Sequence, residues 1–330
     1  MNGRELNLLN IGLMLISCIV AYIIPFELFL FSYAVLGPLH YLTEISWLHQ
    51  RNYFVKGKYD FLWLLLLAVF ATLANLGFRQ FHKISMFAPY LALFSALAFY
   101  LMKDWYLKAI AILLIFISAS FFNNSTFYLV FFLIFLPTII HVFIFTGTFI
   151  FYGAIKSKSS TGIISLLVFV LCALSFFFFV PASLTYQVGD YVKNTYKDFS
   201  VVNHYLINIT NLKDLKSFNT QSLQTIFTTQ VGFKVMRFIA FAYTYHYLNW
   251  FSKTSIIKWH LIDRRYLIAT LALWIISIVV YAYDYHSGLK FLFFLSFLHV
   301  FLEFPLNMKT FIEIGKEIKG FSVVKVIEEK

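Results

Sequence analysis

Long apolar runs broken by short polar stretches recur along almost all of the 330-residue chain. Ten of them approach the ~20 residues that a helix needs to cross a bilayer. They cover residues 8–24, 26–48, 61–78, 86–102, 106–122, 127–152, 162–184, 231–251, 266–283 and 289–306. Apolar side chains fill these blocks continuously and do not alternate with polar ones, which argues against a membrane β-barrel. Backbone polar groups in hydrocarbon must then be satisfied within each segment, and that leaves helices. The pattern predicts an all-α fold, a polytopic transmembrane helical bundle of about ten spans.

The breaks refine this picture. Placing both termini in the cytoplasm puts Arg51, Lys56, Lys58, Lys156, Lys158, Lys253, Lys258, Arg264, Arg265 and the tail from Lys309 inside, as the positive-inside rule asks. Arg79 and Lys83 fall on the other side. The one long hydrophilic stretch, 185–229, reads as an extracytoplasmic surface loop with room for a short interfacial helix and not as a separate domain, either a cap over a cavity or a connector. Residues 308–330 read as a cytoplasmic tail forming a membrane-surface helix. The whole chain, 1–330, is expected to be a single integral membrane domain. Its first run follows one arginine and lacks a small-residue cleavage pattern, so it is expected to be a retained helix.

Composition agrees: 61% of residues are hydrophobic and only 12% charged, about half the charged share of an ordinary soluble domain. The net charge of +11 lies mostly in the loops, so topology explains it and no nucleic-acid partner is implied. Cys18 and Cys172 both fall within apolar runs, which indicates neither a disulfide framework nor a thiolate metal site.

Within the apolar blocks stand four histidines, His40, His141, His246 and His299, and two have a glutamate one turn on, Glu44 and Glu303. Ionisable groups at membrane depth cost about 2.5–3.5 kcal/mol each on insertion scales and mark function more often than not. At four residues' separation His and Glu lie ~40° apart on one helix face, so both can aim at one spot. The four histidines fall on runs of the same direction, about 10–22 Å above the cytoplasmic surface at helical rise. Pro38, Pro137 and Pro305 lie beside them, and proline at depth is tolerated where backbone lines a cavity or packs on protein. Tyr243, His246, Asn249 and Trp250 form a polar-aromatic stripe at helical spacing. Imidazole with carboxylate suits iron, zinc or manganese, and two histidines with one carboxylate make the facial triad of non-haem Fe(II) oxygenases. A bis-histidine haem competes, as do plain interhelical hydrogen bonds. His49, His82, His204, His260 and His286 read as surface residues, with His260 a candidate for closing the inner mouth of a cavity.

The stretch Gly37-Pro-Leu-His40-Tyr-Leu-Thr-Glu44 resembles the Gly-Pro-His…Asp signature of the bacterial Brp/Blh family of membrane β-carotene dioxygenases. Glu44 stands where that family has aspartate, and this chain has no His-x-x-x-His pair. The resemblance implies a non-haem iron held by intramembrane histidines, with His40 a ligand and His141, His246 and His299 candidates for the rest.

Together these features lead to the expectation of a multi-pass integral membrane protein of a bacterial inner membrane. Its expected activity is that of an iron-dependent oxygenase, taking O₂ and a lipophilic carotenoid, polyene or lipid. Glu44 and Glu303 would ligate or orient, and Tyr243 would join them at the reacting centre. The alternative is a proton- or ion-coupled transporter using the same layer as a relay.

Overall fold

The computed structural model describes residues 2–179, 186–211, 219–253 and 264–328, the side chains after Gly320 excepted. All regular structure in them is helical. The helices are α1 Gly3–Ile23, α2 Pro25–His49, α3 Phe61–Asn75, α4 Arg79–Leu101, α5 Trp105–Phe122, α6 Thr126–Lys156 and α7 Ser160–Phe178, followed by α8 Asp190–Tyr196, α9 Ser200–Thr210, α10 Thr220–Thr228, α11 Gln230–Ser252, α12 Arg264–Tyr283 and α13 Tyr285–Glu328. Each of the ten apolar runs contributes a helix among the described residues. Eight are long and apolar enough to span a membrane; α3 is apolar but 15 residues long. The tenth, α11, is long but carries too many polar groups to read as a membrane span by itself.

That polarity is turned inward. Most of α11 is buried, including Arg237, Tyr245, His246 and Asn249. It runs through the bundle against α1, α2, α6 and α7. At the periphery α5 and α12 bury little of themselves, and their apolar side chains face outward. One apolar cluster gathers α1, α2, α7 and α11, including Met14, Phe26, Phe241 and Tyr245. A second gathers α3, α4 and the middle of α13, including Leu64, Ala92 and Phe301. Polar side chains of four helices meet within the bundle these clusters build.

Three of those four helices depart from regular winding or carry proline. Ser32–Leu36 of α2 and Leu129–Phe145 of α6 are π-helical, a form that concentrates at functional sites. Pro38 follows the first π segment and Pro137 lies inside the second, each without an N–H to offer. Pro305 interrupts the bonding of α13 without ending it. The tail is helical and continuous with the last span, since α13 runs 44 residues through Pro305.

The 185–229 stretch carries more helix than the one short interfacial helix its composition suggests. Its described residues form α8, α9 and α10, whose Tyr196, Ile207, Ile226 and Phe227 are buried with Phe26 and Phe233 in the first cluster. Tyr196 donates to buried Asn203 at 2.7 Å. His204, expected at the surface, is buried on α9, with Nε2 3.1 Å from the Asn208 amide. An aromatic face that can dock on the bundle makes the segment a packed cap. His49, His82 and His286 are exposed as expected, while His260 lies outside the described residues.

Candidate metal centre

The four intramembrane histidines meet. His40 comes from α2, His141 from the π-helical part of α6, His246 from α11 and His299 from α13, and each is at least nine-tenths buried. His40 and His246 face each other Nε2 to Nε2 at 3.1 Å. His141 and His299 do the same at 3.2 Å. The two pairs abut, with ring centroids 5.4 Å apart for His40 and His299 and 4.8 Å for His141 and His246. Ligating atoms of His40, His141 and His299 all lie within 4.8 Å of one another.

Both carboxylates join the cluster, by different routes. Glu44 Oε2 lies 3.1 Å from His40 Nε2 on its own helix, as the one-turn spacing suggests. Glu303 does not turn to His299. Its Oε2 is 3.0 Å from His141 Nδ1, across to α6. The reason is local: His299 Nδ1 sits 3.2 Å from the carbonyl of Leu295, one turn back, and this aims its Nε2 at His141. His246 is oriented in the same manner, its Nδ1 2.8 Å from the hydroxyl of Thr146. Engaging one ring nitrogen leaves the other as the ligand, which is how metal-binding imidazoles are set.

The donor set fits a transition-metal ion. Two nitrogens at 2.0–2.1 Å from a common ion, at tetrahedral or octahedral angles, stand about 2.9–3.4 Å apart, and the imidazole pairs match that spacing. A haem would need its two axial nitrogens about 4 Å apart on opposite faces of a macrocycle. Neutral imidazoles hydrogen-bonded to each other would also give short contacts. They would not account for His40 Nδ1, His141 Nδ1, Glu44 Oε2 and Glu303 Oε2, all buried and without a hydrogen bond in acceptable geometry. Unsatisfied buried polar atoms converging on one place are costly, and an ion relieves that cost.

Aromatic rings wall the cluster. Tyr41 stacks on His299 at 4.1 Å, and Tyr247 lies 5.2 Å from His40. The two phenols share a hydrogen bond of 3.0 Å, close over Gly37, where a β-carbon would stand 3.0 Å from the Tyr41 oxygen. Trp250 packs its edge 5.4 Å from His40 and donates to Thr43 at 2.9 Å. Tyr243 stands one turn further out, where its ring packs with Phe29, Tyr33 and Tyr247.

A cavity adjoins the cluster on each side. One of about 290 Å³ reaches His141 and His299 and is walled by Tyr33, Tyr41, Tyr243 and Tyr247, with Phe199 and Val202 of the cap over it. The other, of about 240 Å³, reaches His40, His246, Glu44 and Glu303 and extends to Lys253 and Thr310. On α6 and α13 the first cavity takes residues 133–142 and 293–300, the second 146–152 and 303–310. The helices thus pass the cluster in one direction, with a cavity above it and one below. At the lower end burial pushes the Lys253 ammonium down to about 8, against the Glu303 carboxylate, which holds it up.

Thr146, Tyr41 and Tyr247 escaped the sequence. The tyrosines do adjoin histidines in the chain. Nothing distinguishes Thr146 from Thr138 or Thr148 on the same helix until the fold places it against His246. Compared with protein families, curated proteins and solved structures, the chain finds no match.

Proposed function

We propose that the chain is an integral membrane non-haem iron oxygenase acting on a lipophilic substrate, a carotenoid, another polyene or a lipid. The observation that carries this is the convergence of four buried imidazoles and two carboxylates at ligand spacing beside a cavity walled by tyrosines. His40, His141, His246 and His299 would hold the ion, with Glu44 and Glu303 ligating or orienting. When bound, iron supplies the one-electron and O₂ chemistry that no side chain can. The protein's own part is to bind and orient. The tyrosine-walled cavity takes the apolar substrate, Tyr41 and Tyr247 hold the imidazole faces, and Tyr243 shapes the substrate wall. The cap formed by α8–α10 keeps bulk water from that side. The resemblance of Gly37–Glu44 to the Brp/Blh signature supports a polyene as substrate class, and a bacterial inner membrane as its location.

Metal analysis tests the proposal. Purified protein should carry about one to two iron ions per chain, and the His40→Ala/His299→Ala double variant close to none. A metal-free wild type, or full retention in the double variant, would overturn it. The cavities on both sides of the layer favour a second reading, a proton- or ion-coupled carrier. Flux into proteoliposomes that Glu44→Gln abolishes, in protein that holds no metal, would decide for the carrier.

A further inference from the structure

The two cavities differ in how their polar atoms are satisfied. Five residues lining the lower cavity present a buried side-chain atom with no hydrogen bond: His40 Nδ1, Glu44 Oε2 and Glu303 Oε2, which belong to the cluster, and the Trp47 indole N–H and Asn249 Oδ1, which do not. In the upper cavity His141 Nδ1 is the one lining atom of this kind among the described residues. A donor and an acceptor outside the cluster, facing the same space as its carboxylates, make a poor dry cavity, since each unsatisfied group loses its hydration without recompense. A space of about 240 Å³ has room for up to about eight waters, and polar partners on several sides are what buried water requires. Lys253, partly exposed, and Thr310, buried, also line this space.

We propose that the lower cavity is a water-filled vestibule, and that a hydrated metal ion enters and leaves the cluster through it, apart from the lipophilic route above. Oxygen atoms of Asn249, Glu44 and Glu303 give a divalent ion successive replacements for its water shell, and the two carboxylates draw a cation inward. Among the described residues the upper cavity has one lining carboxylate, Asp198, and His286 Nδ1 engages it at 2.8 Å. The metal-route half of the proposal rests on the metal-site reading; the water-filled half does not.

Thiol accessibility tests both. Wild type sets the background, since Cys18 and Cys172 are buried. In detergent-purified protein, Thr310→Cys and Asn249→Cys should react with a charged trimethylammonium methanethiosulfonate at least about tenfold faster than Ser296→Cys in the upper cavity. Ser296→Cys should react instead with a neutral lipophilic maleimide. Equal rates with the charged reagent, or a Thr310→Cys thiol that reacts only after denaturation, overturn the vestibule. In iron-loaded protein, labelling the Thr310→Cys variant should slow extraction by EDTA at least about fivefold, and labelling the Ser296→Cys variant less than about twofold. Equal slowing overturns the metal route. If wild type takes up no metal, the iron reading and the metal route fall together, while the labelling pattern still decides whether the cavity holds water.

Discussion

Replacing Thr146 by valine tests whether the centre is held by outer hydrogen bonds or merely by crowding. The hydroxyl lies 2.8 Å from His246 Nδ1, and Thr146 is 2% and His246 7% exposed, so only a water of the lower cavity could take its place. Valine keeps the shape and removes only the oxygen. A buried ring nitrogen left without its partner costs about 1–3 kcal/mol, equivalent to about 5- to 150-fold in an equilibrium constant. That agrees with the 10–100-fold losses in metal affinity typical of removing an outer partner of a ligating histidine. Competition with a chelator of known affinity would read the change. Thr146→Ser should recover most of it. Thr148→Val, which removes a hydroxyl bonded to the Ile144 carbonyl of its own helix, should bind metal as wild type does. Binding by Thr146→Val within about twofold of wild type would refute the reasoning, and so would an equal loss in Thr148→Val.

Two predictions concern the scaffold. Lys108 at the start of α5 places its ammonium 2.9 and 2.6 Å from the Asp60 oxygens, both side chains nearly buried. Asp60→Ala should lower stability by about 3–5 kcal/mol by stranding that charge, and Asp60→Leu with Lys108→Met should recover most of it in thermal unfolding. An unchanged midpoint for the single variant would mean that the lysine escapes to water. At the corner between α10 and α11, a β-carbon on Gly232 would stand 2.5 Å from the Thr225 carbonyl oxygen and closer still to that of Ile226. Gly232→Ala should therefore destabilise by about 1–3 kcal/mol or more, read as a lowered unfolding midpoint, and an unshifted midpoint would show that the corner yields.

Several of these features were legible without coordinates. An imidazole inside a long apolar block is conspicuous because insertion energy is a sum over a short stretch of chain. His40, His141, His246 and His299 could be singled out for that reason, and the one-turn spacing of His40 and Glu44 survived into the structure as a direct contact. At Glu303 periodicity alone was not enough. The same spacing from His299 was overruled by the Leu295 carbonyl and by a histidine on another helix. The cap likewise looked hydrophilic in composition, yet docks through a few aromatic and aliphatic residues whose spacing matters only once the bundle offers them a surface.

The linear chain by itself determined that this is a helical membrane bundle with costly groups at its heart, because local hydropathy decides which segments leave water and which residues are anomalous there. Only the tertiary structure decided that those groups form one centre, that Thr146 and a tyrosine pair hold it, and that it lies between two unlike cavities. Those outcomes depend on contacts between side chains as far apart as Ser32 and Thr244 or Thr146 and His246. Such contacts are set by how helices pack and by where prolines and π turns re-aim them, and no window of sequence contains that information.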